Sequence, residues 1–554
     1  MIALQLGKFI VALMLRRRRV ARALLVATPY IVGDERVGHP PGADALLHDL
    51  SQPYEGKPHG HPLPGGPLSP AELQRSISHE GDLNRVQCLL ERMKRGDSIT
   101  TGVIGGSVSA GGSDFVDYSG GSYLFHEQAH RWLKQRYAAA KMKHFNAALP
   151  AVPPYYMRHC LNLHVPPTAD LVFVEASANM CAQTDLQGCQ KARATIEGTL
   201  RKLLRLPSRP AVILVHVYSF WTMEVPMGWG QRADRHRRAK MNTDWLNEDD
   251  MAFDFHEQWG HPTNEHMLDE LAKYYSVPSV SIRDVVWHSM KANSTFHGVG
   301  LRQLYKDRVH PSGYGHTLLA ESIVYLIKRA ALLRHIMGDL QCEHRALPPA
   351  MERIASYDED APVDCLDVDG IERLMQPAEC NGWAKVIEYN KFKIAKPGIL
   401  ATHPGASCSF VYDVPPSTTS SMESAIGLNI LRSYENMGTV RVECIADCTC
   451  SPSTLNAHHT MPVSINTIWW KHAALVPPAQ RCGFKLTVLP ETDSGKHKFK
   501  LTAVFLSRSI NGTLSISNFA VQKALWLESV GKHKRQSFQR AQDRKDKKKS
   551  KGKG

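Results

Sequence analysis

Gly102-Val103-Ile104-Gly105-Gly106-Ser107-Val108-Ser109-Ala110-Gly111-Gly112 carries an apolar run straight into glycines and a serine. A strand ending in such a turn presents the serine at its carboxyl end, and the glycines let a substrate approach the backbone closely. Further apolar runs match it at Asp170-Leu171-Val172-Phe173-Val174-Glu175, at 211–217 and at 277–282. Continuous Val/Ile/Leu runs are what parallel strands look like when helices cover both faces. Helical stripes lie among them: Val86, Leu89, Leu90 and Met93; Phe125, Ala129, Trp132 and Leu133; 267–274; and a long last helix over 317–337. Alternating β and α units predict an α/β, doubly wound parallel sheet with right-handed crossovers. Such a sheet holds its site at the carboxyl ends of its strands.

That location rule decides between competing serines. Gly96-Asp97-Ser98-Ile99-Thr100 has the literal nucleophile box of GDSL-type hydrolases, but it follows a helical stripe and not a strand. Ser107 follows a strand and is the preferred nucleophile; Ser109 ranks third. Downstream of the run ending at Glu175, Ala176-Ser177-Ala178 leads to Asn179, again at a strand's carboxyl end. Lys306-Asp307-Arg308-Val309-His310-Pro311-Ser312 precedes the last long helix. An Asp and a His on one turn can serve a single serine: the His takes its proton, and the Asp holds the tautomer and steadies the imidazolium.

Ser after the first strand, Asn after a central strand and Asp-x-x-His-Pro before the last helix, in that order, resemble the SGNH (GDSL-like) hydrolase superfamily over roughly residues 96–337. The branch it looks like, common in green algae and plants, reads Gly-Gly-Ser-Val-Ser-Ala-Gly where others read Gly-Asp-Ser. The resemblance implies a flavodoxin-like three-layer α/β/α fold and acyl transfer through a serine. Carried over position by position, Ser107 is the nucleophile, His310 the general base and Asp307 its orienting carboxylate, with the Ser107 N–H and Asn179 in the oxyanion hole. Two departures stand out. The loop after the second strand, where the family has a donor glycine, offers Ala148 or Ala151, of which Ala151 is taken as the donor. Asn179 is followed by Met180 where the family usually has Asp. No cofactor or metal is called for; His256, His261 and His266 read as polar loop residues.

Composition sets the frame. The 554 residues are 43% hydrophobic and 22% charged, which excludes wholesale disorder, collagen and coiled coil. The net charge of +14 is concentrated at the ends, +6 in residues 1–33 and +9 in 530–554, so the body between carries +14 − 6 − 9 = −1. A neutral body argues against a basic nucleic-acid face across the protein. No apolar run reaches bilayer length. The expected organisation is a basic targeting segment (1–33), a Pro/Gly-rich linker (34–70), a catalytic domain (71–340), an acidic linker (341–378), an all-β sandwich of jelly-roll type (379–529) and a Lys-rich disordered tail (530–554). Ser69-Pro70-Ala71-Glu72 is a capping box that opens the first helix after the linker.

Twelve cysteines, with triplets for N-glycosylation at Asn293 and Asn511, point toward an oxidising compartment, hence secretory or extracellular placement, with an organelle as the alternative. Cys444, Cys448, Cys450 and Cys482 read as disulfides, with free thiols or zinc as other options. In the last region, runs at 409–414, 438–445, 483–489 and 499–506 are β-branched and aromatic, with turn residues between them. Trp469 and Trp470 there are either sugar-stacking platforms or packing residues. The whole reads as a serine esterase acting on acylated, chiefly O-acetylated, glycan. An O-acyltransferase using the same residues and an inactive glycan-binding protein are the alternatives, and the oligomeric state is open.

Overall fold

Alternation along one strand already separates the two faces of the first sheet. Leu171 and Phe173 of strand β4 (Leu171–Val174) turn into one apolar cluster, and Val172 and Val174 into another. Both clusters are closed by helices, so the strand has no polar face. The computed structural model describes residues 48–49, 68–111, 124–150, 154–180, 186–218, 264–293, 295–305, 309–337, 342, 346–352, 363–389, 395–414, 423–459, 464–476 and 481–507. The targeting segment, the Lys-rich tail, the acidic stretch 357–360, Asp307 and Ala151 lie outside these residues.

The described strands of this domain are β1 (Ile77–His79), β2 (Ser98–Ile104), β3 (Lys141–Asn146), β4, β5 (Ala211–His216) and β6 (Ser279–Ser281). They form one six-stranded sheet in the order β1-β6-β5-β4-β2-β3. All neighbours from β6 to β3 pair in parallel, and β1 is an antiparallel edge. The parallel part has the flavodoxin-like order, whose direction of winding reverses between β2 and β4. The chain therefore leaves those two strands in opposite directions, and the crevice between their carboxyl ends is the expected place for a site.

Helices α1 (Pro70–Arg75), α2 (Asn84–Lys94), α4 (Phe125–Arg136), α8 (Ile282–Asn293) and α10 (Gly313–Met337) belong to one side. Val86, Leu90, Phe125, Leu133, Val285 and Leu326 fill the cluster there. On the other side are α5 (Pro154–His164), α6 (Leu186–Leu204) and α7 (Asn264–Tyr275), with Tyr155, Ile196 and Leu271 in the second cluster. Each fully buried Leu, Val or Phe contributes roughly 1.5–3 kcal/mol through removal of apolar surface from water. The capping box of α1 is present in both directions between Ser69 and Glu72. Two further short helices are found among the described residues of this domain, α3 (Ser107–Ala110) and α9 (Leu301–Leu304). Among the described residues no helix is long and apolar enough to cross a membrane.

The second domain is a β-sandwich. One sheet runs β10 (Ser407–Asp413), β16 (Arg481–Val488), β12 (Thr439–Ala446), β14 (Ser453–Asn456). The other runs β13 (Cys448–Thr449), β15 (Ile465–Leu475), β11 (Glu423–Arg432), β17 (Phe499–Ser507), β9 (Ala395–Ala401), β8 (Trp383–Tyr389), with β7 (Val363–Leu366) also paired to β17. Phe410, Phe484, Val440, Leu428 and Val504 fill the space between the sheets. Strand β7 and helix α11 (Val368–Leu374) precede residue 379, so the folded part of this domain starts inside the segment expected to be linker.

The larger sheet is covered on both faces. Ala425, Ile468, Trp470, Ala503 and Phe505 on its outer face join the cluster of Tyr155, Tyr156 and Cys160 on α5. Cys160 is bonded to Cys365 of β7, a covalent tie between the two domains. Trp470 is 6% exposed and packs on His159 and Phe505, so it is an interface residue and not a sugar platform. Trp469 is half-buried against the sandwich core, with the Lys471 ammonium over its ring. Cys444–Cys450 and Cys448–Cys482 are disulfides, which removes the zinc reading of that cluster. Cys88–Cys342 and Cys380–Cys408 are bonded as well.

Candidate active site

Strand β2 stops at Ile104, and the next residue leaves no room for a side chain. A Cβ on Gly105 would sit 2.9 Å from the Glu175 carbonyl oxygen and 2.8 Å from Ser109 Oγ. Gly106 is the N-cap of α3, Ser107 its first residue, and Gly111 closes it in the left-handed region at φ 80°, donating to the Ser107 carbonyl. This turn lifts Ser107 to the carboxyl edge of the sheet. There its Oγ lies 2.7 Å from His310 Nε2.

His310 is held by the two residues after it. Pro311 is buried and bridges to Tyr305, and the Ser312 N–H donates to the Leu304 carbonyl at 2.8 Å. The Ser312 hydroxyl donates to the Gln303 carbonyl and accepts from the Gly315 N–H at the start of α10. Both ends of the Ser107–His310 contact thus rest on hydrogen-bonded turns.

The 3-10 turn Ser177–Asn179 follows β4 across the crevice. Ser177 Oγ donates to the Val217 carbonyl at 3.1 Å and accepts from its N–H at 2.8 Å, while Asn264 Nδ2 donates to the Ser177 carbonyl at 2.9 Å. The turn is therefore pinned from β5 and from the start of α7. Asn179 ends it; its side chain lies outside the described residues, as do Asp307 and Ala151. Met180, which replaces the expected Asp, is fully buried in the second cluster. In the loop after β3 the Ala148 N–H donates to Asn146 Oδ1 at 2.9 Å, so that donor is occupied.

The other serines separate cleanly. Ser98 is exposed at the opposite, amino end of β2. Ser109 is fully buried, with its hydroxyl 3.2 Å from Glu175 Oε2 and its carbonyl accepting from His126 Nε2 at 2.9 Å and Asn146 Nδ2 at 3.1 Å. Among the described residues, Ser107 is the one serine of the three whose hydroxyl meets a histidine.

Two buried polar groups beneath the site carry no sequence motif. Glu175 is 1% exposed; Oε2 also accepts from the Gly106 N–H at 3.1 Å, while Oε1 is buried with no partner among the described residues. Burial pushes its carboxyl above the usual range, against the pull of Gly106, Ser109 and the nearby His310. The second group is a chain of histidines. His130 Nδ1 lies 2.8 Å from Thr101 Oγ1, which lies 2.9 Å from His144 Nδ1, and His144 Nε2 lies 2.8 Å from His126 Nδ1. Burial pushes His126 and His144 each down to about 3 and lowers His130 as well.

No family model and no curated protein matches this chain. Solved structures do. A two-domain esterase (CEX) active on acetylated mannans, co-crystallised with mannopentaose, aligns with TM-score 0.53 at 16% identity, covering 78% of this chain and 97% of its own. An acetylxylan esterase of Geobacillus stearothermophilus, Axe2, covers 41% of this chain at 15% identity and TM-score 0.27. The CBM36-1 domain of a multidomain xylanase covers 26% at 10% identity and TM-score 0.18. At these identities the likeness is one of fold: the chain shares the two-domain architecture of the first.

Proposed function

We propose that this chain is a serine esterase of the SGNH type that hydrolyses acyl esters, acetyl foremost, on a polysaccharide or glycoprotein in the secretory pathway or outside the cell. The observation that carries the reading is the 2.7 Å contact of Ser107 Oγ with His310 Nε2 at the carboxyl edge of a flavodoxin-like sheet. A serine hydroxyl becomes a useful nucleophile when a neutral imidazole can take its proton as the C–O bond forms.

In the mechanism, Ser107 attacks the ester carbonyl and His310 accepts the hydroxyl proton. Asp307, three residues before His310, is the orienting carboxylate that fixes the tautomer and stabilises the imidazolium. The oxyanion is held by the Ser107 N–H, the Asn179 amide and the Ala151 N–H, each of which would be worth on the order of 10²–10³ in rate. His310 then protonates the leaving sugar oxygen, and water, deprotonated by the same imidazole, releases the acyl group and regenerates Ser107.

The glycan assignment is supported by the shared architecture with an esterase active on acetylated mannans. The disulfides support an oxidising compartment. Fluorophosphonate labelling of the purified protein, with the modified peptide mapped by mass spectrometry, tests the reading. Label on Ser107 that is lost in His310→Ala supports it; label on Ser98, or none on a folded protein, overturns it. Acetate release from acetylated mannan and acetylated xylan then separates the substrates.

A further inference from the structure

The nucleophile turn lacks a cap of its own. A helix start leaves backbone N–H groups without intrahelical acceptors, and an N-cap Ser, Thr, Asp or Asn normally satisfies one of them. Helix α3 has glycine there and makes no side-chain cap hydrogen bond. Gly105 before it has no room for a Cβ, and with glycine at the N-cap as well, neither residue that shapes the turn carries a capping group. In a capping box one side chain accepts from the third residue of the helix and another accepts from the N-cap N–H. Here one residue of a neighbouring strand end accepts from the N-cap N–H and holds the third helical residue by its hydroxyl instead of its N–H. Glu175 Oε2 accepts from the Gly106 N–H at 3.1 Å, the N-cap position, and from the Ser109 hydroxyl at 3.2 Å, the third helical position. The Glu175 N–H itself donates to the Ile104 carbonyl at 2.9 Å, so the carboxyl is anchored to the strand it caps. Neither contact uses the Ser107 N–H, the group assigned above to the oxyanion.

We infer that Glu175 is a positioning residue for Ser107: its buried carboxyl caps the nucleophile turn in trans, fixing the hydroxyl against His310 while leaving the Ser107 N–H to the substrate. The inference rests on the serine-esterase reading above. It assigns a reason for a buried carboxylate that the triad and the oxyanion hole do not use.

The test uses the full chain and three variants, Glu175→Gln, Glu175→Asp and Glu175→Ala. Each is measured by fluorophosphonate labelling rate at Ser107 and by kcat and KM on p-nitrophenyl acetate, per folded molecule judged by thermal melting. Glu175→Gln keeps an acceptor oxygen at the same reach and is expected to stay within about tenfold of wild type. Glu175→Asp withdraws the acceptor by one methylene and is expected to lose roughly 10²-fold in kcat and in labelling rate with KM little changed, the scale of a misplacement of about 1 Å. Glu175→Ala should lose at least as much; should it fail to fold, the Gln and Asp pair still decides. A purely structural role would lower the melting temperature and leave kcat per folded molecule unchanged, and that result would overturn the inference. So would Glu175→Gln as impaired as Glu175→Asp. If wild type itself takes no label at Ser107, the esterase reading falls and this inference falls with it; wild type labelled alongside fully active Glu175→Asp sinks the inference alone.

Discussion

His126 Nδ1 and His144 Nε2 lie 2.8 Å apart, with their rings stacked at 5.0 Å. His126 Nε2 faces the Ser109 carbonyl and must carry its proton there, so its Nδ1 accepts and His144 donates. His144 Nδ1 then accepts from the Thr101 hydroxyl, which in turn accepts from His130 Nδ1. The chain is satisfied in one polarity, and every ring in it is neutral. Protonating either central ring puts two donors face to face.

Acid should therefore weaken the fold around α3 at pH values where a free imidazole only begins to charge. Burial pushes both folded pKa values down to about 3 against an ordinary 6.5. For depressed groups the stabilising contribution is complete above the unfolded value and is lost as pH falls from about 6.5 toward 3, with a slope of at most about 2.7 kcal/mol per pH unit for two protons. Glu127 and Glu321, each pushed up to about 7 by burial, act in the opposite direction over an overlapping window. The histidines must therefore be read as a difference. His144→Gln keeps a donor and an acceptor and removes one titrating ring; its melting temperature should fall less than that of wild type between pH 7.5 and 5. Parallel profiles for the two proteins would refute the neutral chain.

Trp470 offers a second measurement. Its ring is enclosed by His159 and Phe505 at the domain interface. Trp470→Ala removes a buried indole and should cost about 3–5 kcal/mol of stability. Because the side chain faces α5 and not solvent, any affinity for the proposed acylated glycan per folded molecule should be unchanged in calorimetry. A selective loss of glycan binding with normal melting would restore the platform reading.

Much of this architecture was legible in the sequence, and the parts that were not share a cause. Strands β4 and β5 stand out because both their faces are buried, so 171–174 and 211–215 are apolar without interruption, whereas β2 shows the signal only toward its end and β6 sets Val280 between two buried serines. β3, Lys141-Met142-Lys143-His144-Phe145-Asn146, is the sheet's edge and is largely half-buried or exposed, which erases the signal. β1 is three residues long and exists only because β6 pairs with it. Helix α5 begins at Pro154 after Pro153, a pattern that reads equally well as a turn. The Ser107–His310 pairing followed from the order of motifs along the chain. Glu175, His126 and His144 did not, because their partners come from elements 17 to 69 residues away and no spacing rule links them. Trp470 was ambiguous because the sequence of a sheet does not say which of its faces another domain will cover.

Met180, standing where the resembled sequences usually have Asp, gives a further prediction. Restoring the acid with Met180→Asp would place a carboxyl in an apolar cluster with Val174 and Leu214. An unpaired buried carboxyl costs about 3 kcal/mol or more. The variant should therefore melt at a lower temperature and show no gain in esterase activity. A rise in activity would mean that the Asn179 turn can rearrange to expose residue 180.

Gly105 sets the sharpest limit on the turn itself. An added Cβ would meet the Glu175 carbonyl and carboxylate at 2.9 Å and Ser109 Oγ at 2.8 Å. Two of these contacts lie on the β4 end of the sheet, whose backbone is fixed by the ladder to β2, so the β2 turn must give way. Gly105→Ala is expected to shift α3 by a substantial fraction of an ångström and to lower fluorophosphonate labelling of Ser107 by roughly 10²-fold. Its stability should fall by about 1–3 kcal/mol from overpacking. The two readouts separate because the fold tolerates a small displacement of one short helix, whereas the 2.7 Å contact between Ser107 Oγ and His310 Nε2 does not. Labelling at the wild-type rate in a folded Gly105→Ala protein would show that the turn is soft, and that the serine finds His310 without the close approach of β2 to Glu175.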